Sequence, residues 1–195
     1  MFGAATMLIS DRVPKRGGGA RKAATLAAVL LCGLLLCACY ASSGLLLDPD
    51  AAVQPLIDGV YVRDGDPADK FQVTQAADGW YRISRFNPNG TIGETHRVLF
   101  TLMALEGGGP AFALAQQTDD GYAYAVATMD KGRVQIATPD CTDPADLNLA
   151  VDHGGKADDD DAMTPTCTFH NRGALLSALA AFAGQADFGR PYQRH

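Results

Sequence analysis

Apolar and polar residues alternate with a period of two along much of the chain after residue 58. This alternation, together with the turn-forming residues between the segments, predicts a series of short β-strands. The predicted strands are residues 59–62, 71–74, 80–86, 96–103, 111–116, 122–128 and 133–138, with residues 166–169 as an eighth. Sequences such as Asp78-Gly79 are typical of the turns in β-hairpins. The pattern therefore predicts a mainly β fold, a curled antiparallel sheet or small barrel of about seven or eight strands.

The hydrophobic period changes from two to that of a helix near the C-terminus. The apolar residues that share one helical face are Leu175, Leu176, Leu179 and Phe182. They predict a helix at about residues 173–183, with Asn171 as its N-cap and Gly184 as its C-terminal stop. We expect this one helix to plug or flank the sheet. Residues 139–165 are rich in Asp, Pro and Gly and are predicted to be irregular, and the tail from residue 185 to be loosely held.

The N-terminal region has a different composition from the rest of the chain. A basic block formed by Lys15, Arg16, Arg21 and Lys22 precedes residues 23–36, which contain no charged residue. A basic segment followed by an apolar one is typical of a secretory signal. The apolar run is shorter than the roughly 20 residues that a spanning helix needs. A signal sequence is therefore favoured over a permanent transmembrane anchor.

The apolar run ends in Leu36-Cys37-Ala38-Cys39, which resembles the lipobox of bacterial lipoprotein precursors. The resemblance implies that Cys39 receives a diacylglyceryl group, that the signal is cut before it, and that its new amine is acylated. In such lipoproteins an aspartate directly after the lipidated cysteine implies retention at the inner membrane. This chain has Tyr40 there, so the resemblance implies export to the outer membrane, facing the periplasm. A plain transmembrane anchor and a secreted protein cut elsewhere are the alternatives, and either Met1 or Met7 can be the start.

Three regions follow from this resemblance. Residues 1–38 are the N-terminal extension and signal peptide, residues 39–58 are the lipidated cysteine and a tether, and residues 59–195 are a single β-rich domain with the C-terminal helix. Cleavage leaves 195 − 38 = 157 residues. That length is enough for one domain with its own core and too short for two.

The charge of the mature chain limits its partners. Residues 39–195 contain 11 basic and 21 acidic residues, so their net charge is 11 − 21 = −10. This charge argues against binding to nucleic acid and against adhesion to anionic lipid headgroups. We therefore expect the acyl chains on Cys39 to make the membrane contact.

Five cysteines occur in the chain, and three of them belong to the signal region. Cys32 and Cys37 leave with the signal, and Cys39 carries lipid. Cys141 and Cys167 remain in an oxidising compartment, where we expect them to form a disulfide; two free buried thiols are the alternative. A disulfide here would stabilise the fold by roughly 3 to 4 kcal/mol.

The sequence offers few candidates for chemistry. The four consecutive acidic residues of Asp158-Asp159-Asp160-Asp161 lack the alternating spacing and the glycine of an EF-hand loop, so a solvated loop is favoured over a calcium site. The histidines are scattered at His96, His153, His170 and His195. No HExxH, CxxC or GxSxG motif occurs, so we expect no metal, no cofactor and no catalytic residue.

Aromatic residues on two predicted hairpins form a candidate contact patch. The patch consists of Trp80, Tyr81, Tyr122 and Tyr124. Such side chains can line a surface that binds a partner, or they can pack in the core. The sequence leaves both roles open.

The function most consistent with these features is a membrane-anchored envelope lipoprotein that is not an enzyme. We expect its domain to be a protein-binding module, such as an assembly factor or inhibitor, with an envelope protein as its partner. The first alternative is a lipocalin-like carrier of a small apolar ligand or lipid, since Gly59-Val60-Tyr61 is faintly similar to the G-x-W sequence that opens lipocalins. The second alternative is a periplasmic hydrolase.

Overall fold

A closed antiparallel β-barrel of eight strands dominates the computed structural model, which describes residues 40–105, 110–158 and 165–195. The strands are β1 (Tyr40–Ser42), β2 (Gly59–Arg63), β3 (Asp66–Gln75), β4 (Tyr81–Phe86), β5 (Ile92–Met103), β6 (Ala111–Gln117), β7 (Tyr122–Asp130), β8 (Arg133–Ala137), β9 (Lys156–Asp158), β10 (Thr166–Thr168) and β11 (Tyr192–Arg194). The helices are a 3₁₀ helix (Pro49–Ala51), α1 (Pro144–Asp152) and α2 (Arg172–Gln185). The predicted signal sequence and Cys39 lie outside the described residues.

Barrel closure depends on β11, the last strand of the chain. Around the barrel the strands follow the order β6-β5-β4-β3-β2-β11-β8-β7, and β7 pairs again with β6. In β11, Tyr192 is paired with Arg63 of β2 on one side and with Val134 of β8 on the other. The mainly β barrel with a C-terminal helix is thus confirmed, but the prediction of a loosely held tail is wrong. The tail is ordered because it supplies the hydrogen-bond partners that β2 and β8 would otherwise lack.

Three short strands extend the sheet outside the barrel. The first part of β7 pairs with β1, β1 runs parallel to β10, and β10 pairs with β9. The strand predicted at residues 166–169 therefore exists as β10, but it is not a barrel strand. The prediction that residues 40–58 form a tether is also wrong, because Tyr40 is 0% exposed and Leu47 and Leu56 are buried as well.

The wall formed by β5, β6 and β7 separates two hydrophobic cores. Phe100 and Leu114 point into the barrel, whereas Leu99, Ala113 and Val126 point outward toward α2. This arrangement follows from the period of two in a strand that is buried on both faces. Three of the outward residues of β6, Ala111, Ala113 and Ala115, are fully buried alanines. Their short side chains leave room for a helix to pack closely on the wall.

Helix α2 flanks the barrel and covers the outer face of this wall. Leu175, Leu179 and Phe182 are buried in the outer core. The predicted N-cap is confirmed, since Asn171 Oδ1 accepts hydrogen bonds from the backbone N–H groups of residues 173 and 174 at 2.7 and 3.2 Å. Gly184 is not the stop that we expected, because the helix continues to Gln185.

Helix α1 lies within the segment that was predicted to be irregular, and that prediction is wrong. Its start carries two local signals: Pro144 in the first turn and Asp143, whose side chain accepts a hydrogen bond from Ala145 N at 2.8 Å. The predicted disulfide is confirmed, as Cys141, just before α1, is bonded to Cys167 in β10 with their Cα atoms 6.2 Å apart. No helix in the described parts of the chain is long and apolar enough to cross a membrane.

Candidate functional site

Two tyrosines of the candidate contact patch anchor the segment before β2. The Tyr124 hydroxyl lies 2.7 Å from Ser42 Oγ and accepts a hydrogen bond from Leu46 N at 3.0 Å. The Tyr81 hydroxyl accepts from Leu56 N at 2.9 Å and donates to Leu56 O at 3.0 Å. Both side chains are fully buried, Tyr81 inside the barrel and Tyr124 in the outer core. Burial raises the pKa of Tyr81 to about 12 and also raises the pKa of Tyr124.

Trp80 and Tyr122, the other members of the candidate patch, are neighbours on the outside of the barrel. Their ring centroids are 6.4 Å apart. The guanidinium of Arg97 lies over the indole, with its Cζ 4.7 Å from the ring centroid, and forms an ion pair with Asp78 at 2.7 Å. Trp80 is only 8% exposed beneath this pair. The four aromatic residues therefore do not form a common surface patch, and packing accounts for their positions.

The two ends of the barrel differ in chemistry. At the end where β2 stops and β5 begins, which we call the polar end, Arg63 Nε lies 2.6 Å from Asp69 Oδ2. The Tyr192 hydroxyl donates to the same carboxylate oxygen at 2.9 Å. Burial raises the pKa of Tyr192, although the hydrogen bond from Arg63 opposes this effect. This network joins β2, β3 and β11 at the point where the barrel closes.

His96 and Gln116 also face the interior near the polar end. His96 is paired with Ile83, and Gln116 is paired with Val98, so they share the inward face of the sheet with these core residues. Their Nε2 atoms are buried and have no hydrogen-bond partner among the described residues. His96 Nε2 lies 3.6 Å from a carboxylate oxygen of Glu94. The residue pattern alone did not indicate that these two side chains would lie on one face.

A serine–histidine contact joins the two helices. Ser177 Oγ of α2 lies 2.9 Å from Nδ1 of His153, the C-cap residue of α1. Nucleophilic catalysis of this kind requires a third group that orients the imidazole. His153 forms no ion pair with a carboxylate in the described parts of the chain. The contact joins α2 to the C-terminal end of α1.

A groove between the end of β8 and the two helices is acidic. It has a volume of about 560 Å³ and is lined by Asp143, Asp146 and Asp187. Burial raises the pKa of Asp146, and the hydrogen bond that Asp146 accepts from Asp140 N opposes this effect. Asp143 is the N-cap of α1, so part of this acidic lining has a structural role.

Potential metal ligands are dispersed in the described part of the structure. Within residues 40–105, 110–158 and 165–195, no group of three or more His, Cys, Asp or Glu side chains is arranged to hold a metal ion. Asp158 accepts a hydrogen bond from Thr168 Oγ1 at 2.6 Å, which fixes it to β10. The rest of the aspartate run, residues 159–161, lies outside the described residues, so its cation binding stays untested.

At the opposite end from the polar end, where β2 begins and β7 turns into β8, the barrel has a basic groove of about 480 Å³. Leu56, Tyr61 and Val134 supply buried apolar surface to it. The charged residues of its lining are all cationic: Lys131, Arg133 and Arg194. None of these three forms a salt bridge with a described residue. The basic groove thus combines apolar surface with cations that are available to a ligand.

Local backbone geometry positions the cations of the basic groove. Lys131 and Gly132 have positive φ values of 50° and 80°, as a tight β-hairpin turn requires. Gly59 has a φ of 154°, and a Cβ atom there would lie 3.2 Å from Cγ and Cδ of Arg194. Glycine therefore lets the aliphatic part of Arg194 lie against the start of β2.

Tyr61 fixes the exposed apolar residue at the edge of the basic groove. Its hydroxyl accepts a hydrogen bond from Ile57 N at 3.2 Å and donates to Ile57 O at 3.1 Å. The Ile57 side chain is 62% exposed. These contacts place an apolar side chain beside the three cations, an arrangement that sequence reasoning did not anticipate. No protein-family model, curated protein or solved structure matches this chain.

Proposed function

We propose that the chain is a lipoprotein of the bacterial cell envelope, held at the outer membrane by acyl chains on Cys39 and facing the periplasm. Its barrel would serve as a non-catalytic module that binds a protein partner. The observation that carries this proposal is the lipobox-like Leu36-Cys37-Ala38-Cys39 at the end of an uncharged run. The described fold begins directly after it, at Tyr40, which is a fully buried strand residue. Acyl chains on Cys39 would be attached to the folded domain with no spacer.

Several contacts fix Tyr40 in place. Its backbone is paired with Cys167 in β10, a member of the disulfide. Its ring packs against Phe169, with centroids 5.1 Å apart, and its hydroxyl donates to the backbone oxygen of Asp146 at 2.8 Å. Since one acyl chain anchors only marginally and several anchor firmly, a triacylated Cys39 would hold the barrel in a restricted orientation.

The interior of the barrel favours a binding module over a carrier. A β-barrel is compatible with either role. Aromatic rings fill much of the interior here: Tyr61 stacks on Phe71 at 5.4 Å, Phe71 contacts Tyr192 at 4.9 Å, and Tyr81 contacts Phe100 at 5.3 Å. These rings occupy space that a carrier would need for an apolar ligand. Recognition on the outer surface is the function that this packing supports best.

Metabolic labelling with radioactive palmitate tests the anchor. We expect the wild-type protein to be labelled and to begin at residue 39 by mass spectrometry, and the Cys39→Ala variant to lose the label. Cys37→Ala is the matched control, because it removes a thiol from the same segment and should retain the label. A Cys39→Ala protein as radioactive as the wild type would disprove the proposal.

Crosslinking in intact envelopes tests the binding module. We expect a discrete crosslinked species that contains this chain and one envelope protein, and we expect Cys39→Ala to reduce its yield because the variant is no longer concentrated at the membrane. A wild-type chain that crosslinks only to itself, or to nothing, would contradict the proposed role.

A further inference from the structure

We propose that the basic groove is the recognition site of the module and binds a short peptide segment of the partner protein. In that segment, acidic side chains would flank an apolar one. This inference rests on the proposed function, because it names the surface and the chemistry through which the module would act.

The charge of the basic groove is opposite to that of the domain around it. The net charge of residues 39–195 is −10, yet the charged residues that line the groove are Lys131, Arg133 and Arg194. Of the eight basic side chains elsewhere in the described residues, three, Arg63, Arg97 and Arg172, lie within 4.0 Å of a carboxylate. The three cations of the groove have no such neighbour among the residues that the structure describes.

Two aspartates adjoin the basic groove in sequence, and neither forms a salt bridge with its cations. Asp58 Oδ1 accepts a hydrogen bond from Gln75 N at 2.6 Å, which holds this carboxylate on β3. Asp130 is paired with Arg133 across the β7–β8 hairpin but forms no salt bridge with it. The cations of the groove are therefore free to bind carboxylates from outside.

The mixture of groups indicates what the occupant looks like. Arginine binds a carboxylate through two parallel N–H···O hydrogen bonds, and lysine adds a compact positive charge. The partly buried Met129 in the groove and the exposed Ile57 at its edge supply contacts for an apolar side chain, above the buried Leu56 and Val134. Arginine clusters that bind acidic motifs are a recurring mode of peptide recognition. An acidic peptide with one apolar side chain can bind both the cations and the apolar residues of the groove.

A peptide fits this surface better than a membrane does. An anionic bilayer presents its charge over a wide area and would repel the −10 body that surrounds the groove. A peptide segment presents its carboxylates locally and can enter the groove without facing the rest of the surface. The apolar residues of the groove also favour a peptide, because a peptide has an apolar side chain to bury there and a lipid headgroup does not.

Fluorescence anisotropy with the full-length protein tests the inference. The probe is a fluorescein-labelled pentapeptide with two glutamates on each side of a central leucine, and its control is the same peptide with glutamines in place of the glutamates. We expect the glutamate peptide to bind and the glutamine peptide to bind at least about tenfold more weakly, because the charge complementarity is lost. Added salt should weaken binding of the glutamate peptide.

Variants connect this binding to the basic groove. Arg133→Gln/Arg194→Gln should weaken binding of the glutamate peptide about tenfold or more, while Arg82→Gln/Lys156→Gln, which removes the same charge from exposed residues outside the groove, should change it little. Ile57→Glu provides a second variant at an exposed side chain, where misfolding is not expected, and should also abolish binding.

Three outcomes would overturn the inference: no binding of the glutamate peptide, equal loss of binding in both double variants, or binding of phosphatidylglycerol vesicles that depends on Arg133 and Arg194 in place of peptide binding. The result is separate from that of the palmitate experiment. If Cys39→Ala loses the label but the wild-type protein does not bind the glutamate peptide, the anchor is supported and the groove is disproved. If Cys39→Ala keeps the label and the wild-type protein binds the peptide through the groove, only the anchor is disproved.

Discussion

The hydroxyl group of Tyr124 lies 2.7 Å from Oγ of Ser42, and this hydrogen bond joins β7 to the end of β1. Both side chains are buried. The same hydroxyl accepts from Leu46 N, so one phenol holds the chain at two points. The residues that directly follow Cys39 are thereby part of the folded domain, which is the feature that links the proposed lipid anchor to the barrel.

Replacing Tyr124 by phenylalanine should weaken this attachment. The variant keeps the ring in the outer core but removes the partner of the buried Ser42 hydroxyl and the acceptor for Leu46 N, and a buried polar group without a partner costs about 1 to 3 kcal/mol. We expect the free energy of unfolding, measured with urea, to fall by that amount. Tyr122→Phe is the matched control and should change it by less than about 0.5 kcal/mol. Equal effects of the two variants would contradict the assignment.

The sequence predicts the hairpins of the barrel because their signals are local. Alternating residues such as Phe112 and Leu114 define one face of a strand, and glycine turns separate the strands. The three-residue strands β1 and β11 show no such period, since a period of two cannot be recognised over three residues. Their positions depend on partners far along the chain, as when Tyr192 pairs with Arg63.

The candidate site could be predicted less well than the fold. Leu56, Lys131 and Arg194 come together only because β11 closes the barrel beside β2 and the β7–β8 hairpin. The aromatic residues Tyr81 and Tyr124 stood out by residue type, but their hydroxyl groups bond to backbone atoms of residues 46 and 56, contacts that no sequence pattern encodes. The N-cap Asn171 was predictable because its partners are two and three residues away.

The buried phenol of Tyr81 should make stability depend on alkaline pH. Its pKa is about 12 in the folded protein against 10.0 in the unfolded chain, chiefly because of burial. Folding therefore favours the neutral phenol, so this stabilisation is fully present below pH 10 and is lost as the pH rises toward 12. Urea unfolding across this range should show falling stability and a smaller fall in Tyr81→Phe. Tyr122→Phe should keep the wild-type slope, and a Tyr81→Phe slope equal to that of the wild type would refute the prediction.

Loss of the disulfide should loosen the region that holds Tyr40. Cys141 and Cys167 are 26 positions apart in the sequence, and closing a loop of that size contributes about 3 to 4 kcal/mol to stability. We expect Cys141→Ala/Cys167→Ala to lower the free energy of unfolding by about this amount and to increase hydrogen exchange in β1 and β10. Addition of a reductant should reproduce this effect in the wild type and have none on the double variant. A reductant effect that persisted in the double variant would assign the stability to another cause.

Tyr192 should be the side chain on which barrel closure depends most. It is 4% exposed, its ring packs 4.9 Å from that of Phe71, and its hydroxyl donates to Asp69. Tyr192→Ala removes both contacts and should destabilise the protein by about 3 to 5 kcal/mol, the range for large aromatic side chains in cores. Tyr192→Phe keeps the ring and should cost about 1 to 3 kcal/mol, because Asp69 and Arg63 lose a hydrogen-bond partner. The neighbouring Gln193→Ala removes one hydrogen bond, to Asp64 at 2.9 Å, and should cost less, about 0.5 to 1.5 kcal/mol. Because β11 joins β2 to β8, Tyr192→Ala should also expose strand edges, and we expect dimers or larger species in size-exclusion chromatography. A monomeric Tyr192→Ala protein with wild-type stability would show that the barrel closes without β11.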